Sequence, residues 1–125
     1  MIEFAAVGIG AALGAWLRWG LSTWLNPRIA HFPLGTLASN LVGGYLVGFA
    51  VAYFAFRHDL PPAWRLLAIT GFLGGLTTFS TFSAEVTELL LQGSYASGAA
   101  VACAHLAGSL VLTAAGFATF RALAA

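Results

Sequence analysis

An all-α membrane protein of four transmembrane helices, the third of them broken, is the fold class this sequence predicts, and three observations predict it. Apolar residues fill 60% of the 125 positions and charged residues only 7%, against the roughly 25% charge of an ordinary soluble domain. Between its charges the chain runs as apolar stretches over residues 4–17, 29–56, 66–84 and 89–120, several of them beyond the roughly 18 residues that mark a spanning helix. Within the third stretch, glycines and threonines crowd together in a way that a continuous helix tolerates poorly. Spans are therefore expected at about 4–25, 34–56, 65–91 and 97–121, in one domain covering 1–125.

The first span opens on Glu3 where a secretory leader would carry Lys or Arg, and its apolar run continues past Arg18 to Leu25, so it reads as a span that is kept. Gly10 and Gly14 lie one turn apart and let a neighbouring helix come close. Arg18 is the only charge well inside this span. A guanidinium there must reach a carboxylate, an anion or water, or snorkel to the interface along its apolar stem. Asn26-Pro27-Arg28 and Phe32-Pro33 then punctuate the first connection.

In the second span Gly35, Ser39 and Gly43 repeat at helical spacing, as do Asn40, Gly44 and Gly48. These are further close-approach faces. Asn40 lies about two turns inside, where an amide is costly without a partner. Its NH2 group could donate to an anion or make an interhelical hydrogen bond that fixes packing.

After His58-Asp59-Leu60-Pro61-Pro62, the third span carries Gly71-Phe72-Leu73-Gly74-Gly75-Leu76-Thr77-Thr78-Phe79-Ser80-Thr81-Phe82-Ser83. Two readings of it stand. One is a helix break, allowed at membrane depth where backbone groups line a cavity or hold an ion. The other is a glycine packing face whose hydroxyls bond back to the preceding turn. Beyond the glycines, Phe79 and Phe82 share one helix face, Thr77 and Ser80 another, Thr81 and Glu85 a third. Ring edges are partly positive, and hydroxyls and amides donate, so together they could replace the water shell of a small anion. Taken without their polar neighbours, two phenylalanines three apart are more often a packing pair. Glu85 and Glu88, toward the end of the span, read as interfacial carboxylates.

Gln92-Gly93-Ser94 leads into the fourth span, which holds Cys103, His105 and Thr113. A single cysteine excludes an intramolecular disulfide and a cysteine metal site. His105 has no second ligand at i+3 or i+4 and reads as a partner for a neighbouring helix.

The charge pattern excludes more than it selects. Five arginines and no lysine give a net charge of +1 without any cluster, so nucleic acid is not an expected partner. With the termini on one side, Arg57, Arg65 and Arg121 face Arg28 and Arg18 across the membrane, three against two. A difference that small either fixes one orientation weakly or lets the chain insert both ways. No nucleophile, base and orienting group stand at credible spacing, which argues against an enzyme.

The segments Gly8-Ile9-Gly10-Ala11-Ala12-Leu13-Gly14-Ala15-Trp16-Leu17-Arg18-Trp19, Gly35-Thr36-Leu37-Ala38-Ser39-Asn40-Leu41-Val42-Gly43-Gly44 and Gly71 through Phe82 resemble, in order, the three signature segments of the CrcB/Fluc fluoride channels. The third, with Gly-Gly-Leu-Thr-Thr-Phe-Ser-Thr-Phe, is the most specific, and the resemblance extends over essentially the whole chain. It implies a passive exporter of cytoplasmic fluoride in the bacterial inner membrane. It also implies a homodimer of antiparallel, dual-topology subunits, with two pores along the interface and a structural Na+ at its centre. The resemblance matches Asn40, Phe79, Phe82, Ser80 and Thr81 to the pore, Thr113 and Arg18 less distinctly, and Gly74 and Thr77 to backbone carbonyl ligands of the sodium. Leu73 departs from a cysteine often expected there, which alters no carbonyl or pore hydroxyl. Fluoride and the lipid bilayer are then the only partners besides a second copy, with no protein partner implied.

Two other classes compete. A small multidrug transporter is also a four-span, dual-topology homodimer, but it needs a carboxylate deep in the first span, where this chain has only Glu3 near its start. A membrane scaffold would use the glycine faces and leave Asn40 and the break without a purpose.

Overall fold

The computed structural model describes all 125 residues, and the chain is entirely helical. In order come α1 (Ile2–Leu25), a 3-10 turn (Asn26–Arg28), α2 (Leu34–Phe56), α3 (Pro62–Arg65), a π-helical segment (Leu66–Leu73), α4 (Gly74–Leu76), α5 (Phe79–Leu91) and α6 (Tyr95–Ala124). Four runs are long and apolar enough to cross a membrane, Ile2–Arg28, Leu34–Phe56, Pro62–Leu91 and Tyr95–Ala124. Only the third is interrupted, at Thr77 and Thr78.

These helices do not share an oily core. Its buried hydrophobic residues are Ala6, Leu73, Leu76, Leu89 and Val101, whereas Ile9, Leu13, Trp16, Trp19, Val42, Leu106, Leu110 and Val111 point outward. Lipid offers no hydrophobic gain for turning such side chains inward, so helices associate by backbone proximity. Two pairings do this. α1 lies on the π-helical segment and α4, and α2 lies on α6. In the first, Gly14 sits on the main chain of Phe72 and Leu76, and Gly75 on that of Ala11 and Ala15; in the second, Gly48 sits on Thr113 and Gly116 on Tyr45. A Cβ at any of these four positions would strike backbone.

The connections satisfy the helix ends. Asn26 Oδ1 accepts from Gly35 N at 2.6 Å and Thr36 N at 3.3 Å, capping α2 from outside it. Arg57 and Asp59 form a two-bonded ion pair at 2.8 Å in the next loop. That contact with Arg57 holds the exposed Asp59 carboxyl at about 2. At the end of α5, Gly93 takes φ +78, with Ser94 N bonded to Leu89 O and Gly93 N to Leu90 O. This is a Schellman closure, which needs a residue free of Cβ strain.

Candidate functional site

The break in the third span organises everything around it. Thr77 (φ −91, ψ 153) and Thr78 (φ −151, ψ 118) are extended, and the chain resumes as helix at Phe79. Within the glycine-and-threonine segment the glycines themselves stay helical. Gly71 and Gly75 are instead consumed by contact with α1, and the two β-branched threonines that follow take the extended conformation they favour. Both readings of the segment therefore hold, a few residues apart. Because Thr77 is outside the helix, it does not share a helical face with Ser80; its hydroxyl bonds back to Leu73 O at 2.8 Å.

Breaking a helix orphans polar groups, and each must find a partner. Asn40 meets Thr78 as a strand would. Its Oδ1 accepts from Thr78 N at 2.7 Å, and its Nδ2 donates to Thr78 O at 3.0 Å. Thr78 Oγ1 caps α5 by accepting from Thr81 N at 3.1 Å. Arg18 donates from Nε to Gly75 O at 2.9 Å. The charge inside the first span thus reaches a backbone carbonyl, an outcome not among its expected partners.

These substitutions leave a specific residue of unmet acceptors. In an unbroken helix Thr78 N would serve Gly74 O and Thr81 N would serve Thr77 O, but both donors are diverted, to Asn40 and to Thr78 Oγ1. Gly74 is exposed and Thr77 half-buried. Two carbonyl oxygens at the break thus lack their helical donors, and carbonyl oxygens are ligands of the kind a hard cation takes. Side-chain chemistry offers no rival, since no cluster of three or more His, Cys, Asp or Glu residues is present.

Beside the break a cavity of about 270 Å3 is lined by Asn40, Gly44, Thr77, Thr78, Phe79 and Phe82 from α2 and the third span, and by His105, Leu106, Ser109 and Leu110 from α6. Phe79 meets Phe82 edge-on, with centroids 5.4 Å apart. Phe82 in turn stacks on His105 at 4.6 Å. Phe79 is 75% exposed, so its ring closes nothing by itself and is available to a neighbouring molecule.

The other anticipated residues are arranged less uniformly. Ser80 is exposed and lies 3.2 Å from Thr78 Oγ1, while Thr81 Oγ1 accepts from that same hydroxyl at 3.2 Å. Ser80 also borders an open outer recess with Ser83 and Thr87. Thr113 spends its hydroxyl proton on Gly44 O at 3.0 Å and is absent from the cavity wall. Glu85 is not a free interfacial carboxylate: Oε1 accepts from the fully buried Thr36 hydroxyl at 2.6 Å, and Oε2 is buried without a partner.

His105, read from sequence as a partner for a neighbouring helix, also lines the cavity, and so does Ser109, which sequence reasoning passed over. The signal was present as His105, Ser109 and Thr113 at i, i+4 and i+8, a polar stripe on one face of an otherwise apolar helix. Asn40 also has less to give than its NH2 suggested, since both amide hydrogens are engaged, one on Thr78 O and one on His105 Nδ1 at 3.0 Å.

The sequence matches the family described as CrcB-like protein, Camphor Resistance (CrcB), over residues 5–117. It is 56% identical over 123 residues to the fluoride-specific ion channel FluC of Thiobacillus denitrificans, covering 98% of this chain and 99% of that relative. The protein of the same name from Cupriavidus taiwanensis is 60% identical over 123 residues, 98% of each chain. That from Ralstonia pickettii is 61% identical over 118 residues, 94% of each.

Proposed function

The chain belongs to the CrcB-like family, and on that premise we propose that it is a fluoride-specific ion channel of a bacterial inner membrane, a passive exporter and not an enzyme. The observation that carries the reading is near full-length identity to relatives named fluoride-specific channels, on a chain with four spanning helices.

In the proposed mechanism the chain acts as one four-span domain, and two copies assemble antiparallel. The near balance of arginines supports insertion in both directions. The outward Phe79 ring and the apolar faces of Leu106 and Leu110 supply the surface that a second copy would cover. Fluoride follows the wall formed by Asn40, Phe79 and Phe82 and continues along Ser80 and Thr81, with Thr113 and Arg18 at its margins. Its tight hydration shell is exchanged for ring edges and donors placed in series, none of them carrying a full charge that would hold the ion. Arg18, spent on Gly75 O, contributes positive potential and anchorage.

A structural Na+ fits the carbonyls of Gly74 and Thr77, whose helical donors are diverted. These carbonyls would hold the cation, which would supply a fixed positive charge beside the pathway. Everything else in the passage is done by side chains of this protein.

The test is fluoride efflux from liposomes holding the purified protein, read with a fluoride electrode after a potassium ionophore, with chloride recorded in parallel. Fast fluoride release with negligible chloride release is expected. Equal release of both ions, or none from folded protein, would overturn the proposal.

A further inference from the structure

One line of contacts crosses the cavity wall through three elements, from the break at Thr78 to Asn40 on α2, His105 on α6 and Phe82 on α5. Its chemistry is over-determined. Thr78 N–H can only donate, so the Asn40 atom facing it at 2.7 Å must be Oδ1. That orientation turns Nδ2 toward Thr78 O and His105 Nδ1, each at 3.0 Å. An amide nitrogen donates and does not accept, so Nδ1 must be bare, and a neutral ring then carries its proton on Nε2. His105 is 3% exposed, and Nε2 makes no hydrogen bond. The ring lies nearly parallel to Phe82, tilted by 25°. Phe82's other aromatic contact is the exposed Phe79, at an edge.

We propose that His105 is a positioning residue of the anion pathway: fixed as its Nε2–H tautomer by Asn40, it holds the Asn40 amide against the helix break and the Phe82 ring across the cavity. This rests on the fluoride-channel reading above. Without the Nδ1 acceptor, the second Asn40 N–H loses its protein partner at a half-buried position, and the amide loses the contact that fixes its outer edge. Without the imidazole plane, Phe82 loses the surface that sets its tilt. The break is reached through the Nδ1 edge of His105 and the aromatic wall through its ring face, so this one residue couples them.

Two measurements test it. In full-length protein labelled with 15N-histidine, the His105 signals, assigned by their loss in His105→Asn, are expected to be those of a neutral ring protonated at Nε2. A ring protonated at Nδ1, or a rapidly exchanging mixture, would overturn the lock. In liposomes, His105→Asn keeps an acceptor where Nδ1 stood, and His105→Gln keeps an amide where Nε2 stood. Flux within about fivefold of wild type is expected for the Asn variant and a loss of at least about tenfold for Gln, the scale of stranding one buried donor. The reverse ranking would make Nε2 a direct donor to the ion and refute the positioning role. Wild-type liposomes that retain fluoride would instead overturn the channel reading, and the 15N spectrum would then decide the lock alone.

Discussion

Residues 62–76 and 79–91 belong to one span, yet the first half lies main chain to main chain on α1 through Gly10, Gly14, Gly71 and Gly75, whereas the second presents hydroxyls and aromatic rings to a cavity. Small residues make the first half dry and close. The second half has no glycine, and near the break Phe79, Phe82 and His105 line open space. Two threonines between them convert one regime to the other. The lesson is that a membrane helix is made into a site less by adding polar residues than by stopping close approach at a chosen point and satisfying the backbone exposed there.

The largest blow to this contrast is a side chain in the dry half. Gly14→Leu forces carbon into the backbone of Phe72 and Leu76, and overpacking of that kind costs about 1–3 kcal/mol or more. Folded protein recovered in detergent should fall severalfold, and normal yield with normal heat resistance would show that α1 has room to retreat. Next is the boundary. Asn40→Ala removes the partners of the half-buried Thr78 N–H and C=O, at up to about 1–3 kcal/mol for each group that water does not reach. Lower thermal stability together with lost fluoride flux is expected, and stability equal to wild type would mean that water takes over the clamp.

A purely functional loss should follow in the open half. Phe82→Ile or Phe79→Ile removes a ring contact of about 0.5–1.5 kcal/mol, which converts to as much as about tenfold in rate. Assembly by size-exclusion chromatography should be unchanged, and wild-type flux in both variants would end the assignment of these rings to the pathway. The smallest effect belongs outside both halves, at the Arg57–Asp59 pair. Because Arg57 depresses the Asp59 carboxyl to about 2, any stability it gives is present above its unfolded value near 4 and is lost only as pH falls through about 2. Thermal unfolding should therefore be indifferent to this pair between pH 5 and 8, and Asp59→Asn should leave the unfolding temperature almost unmoved, as expected of an exposed ion pair.

Much of the fold was legible because lipid imposes few solutions. Apolar length located four helices, prolines and Gly93 located their ends, and repeated glycines identified the faces that touch. Asn40, Phe79 and Phe82, singled out from the sequence, do line one cavity, and of these only the amide is unusual for its depth. Arg18 and Glu85 were misjudged for one reason: their partners, Gly75 O and the Thr36 hydroxyl, lie 57 and 49 positions away. His105 was rightly read as a partner for a neighbouring helix, but which helices it meets, α2 through Asn40 and α5 through Phe82, was not legible.

By itself, then, the sequence determined that this chain spans a membrane four times, where its helices press together, and that its third span is a candidate for a break, because hydropathy and local backbone preference act between near neighbours. Only the tertiary structure decided that the break falls at Thr77 and Thr78 instead of the glycines, and that Asn40, His105 and Phe82 form one wall. Those outcomes depend on which distant donor reaches each orphaned backbone group, a choice made by packing.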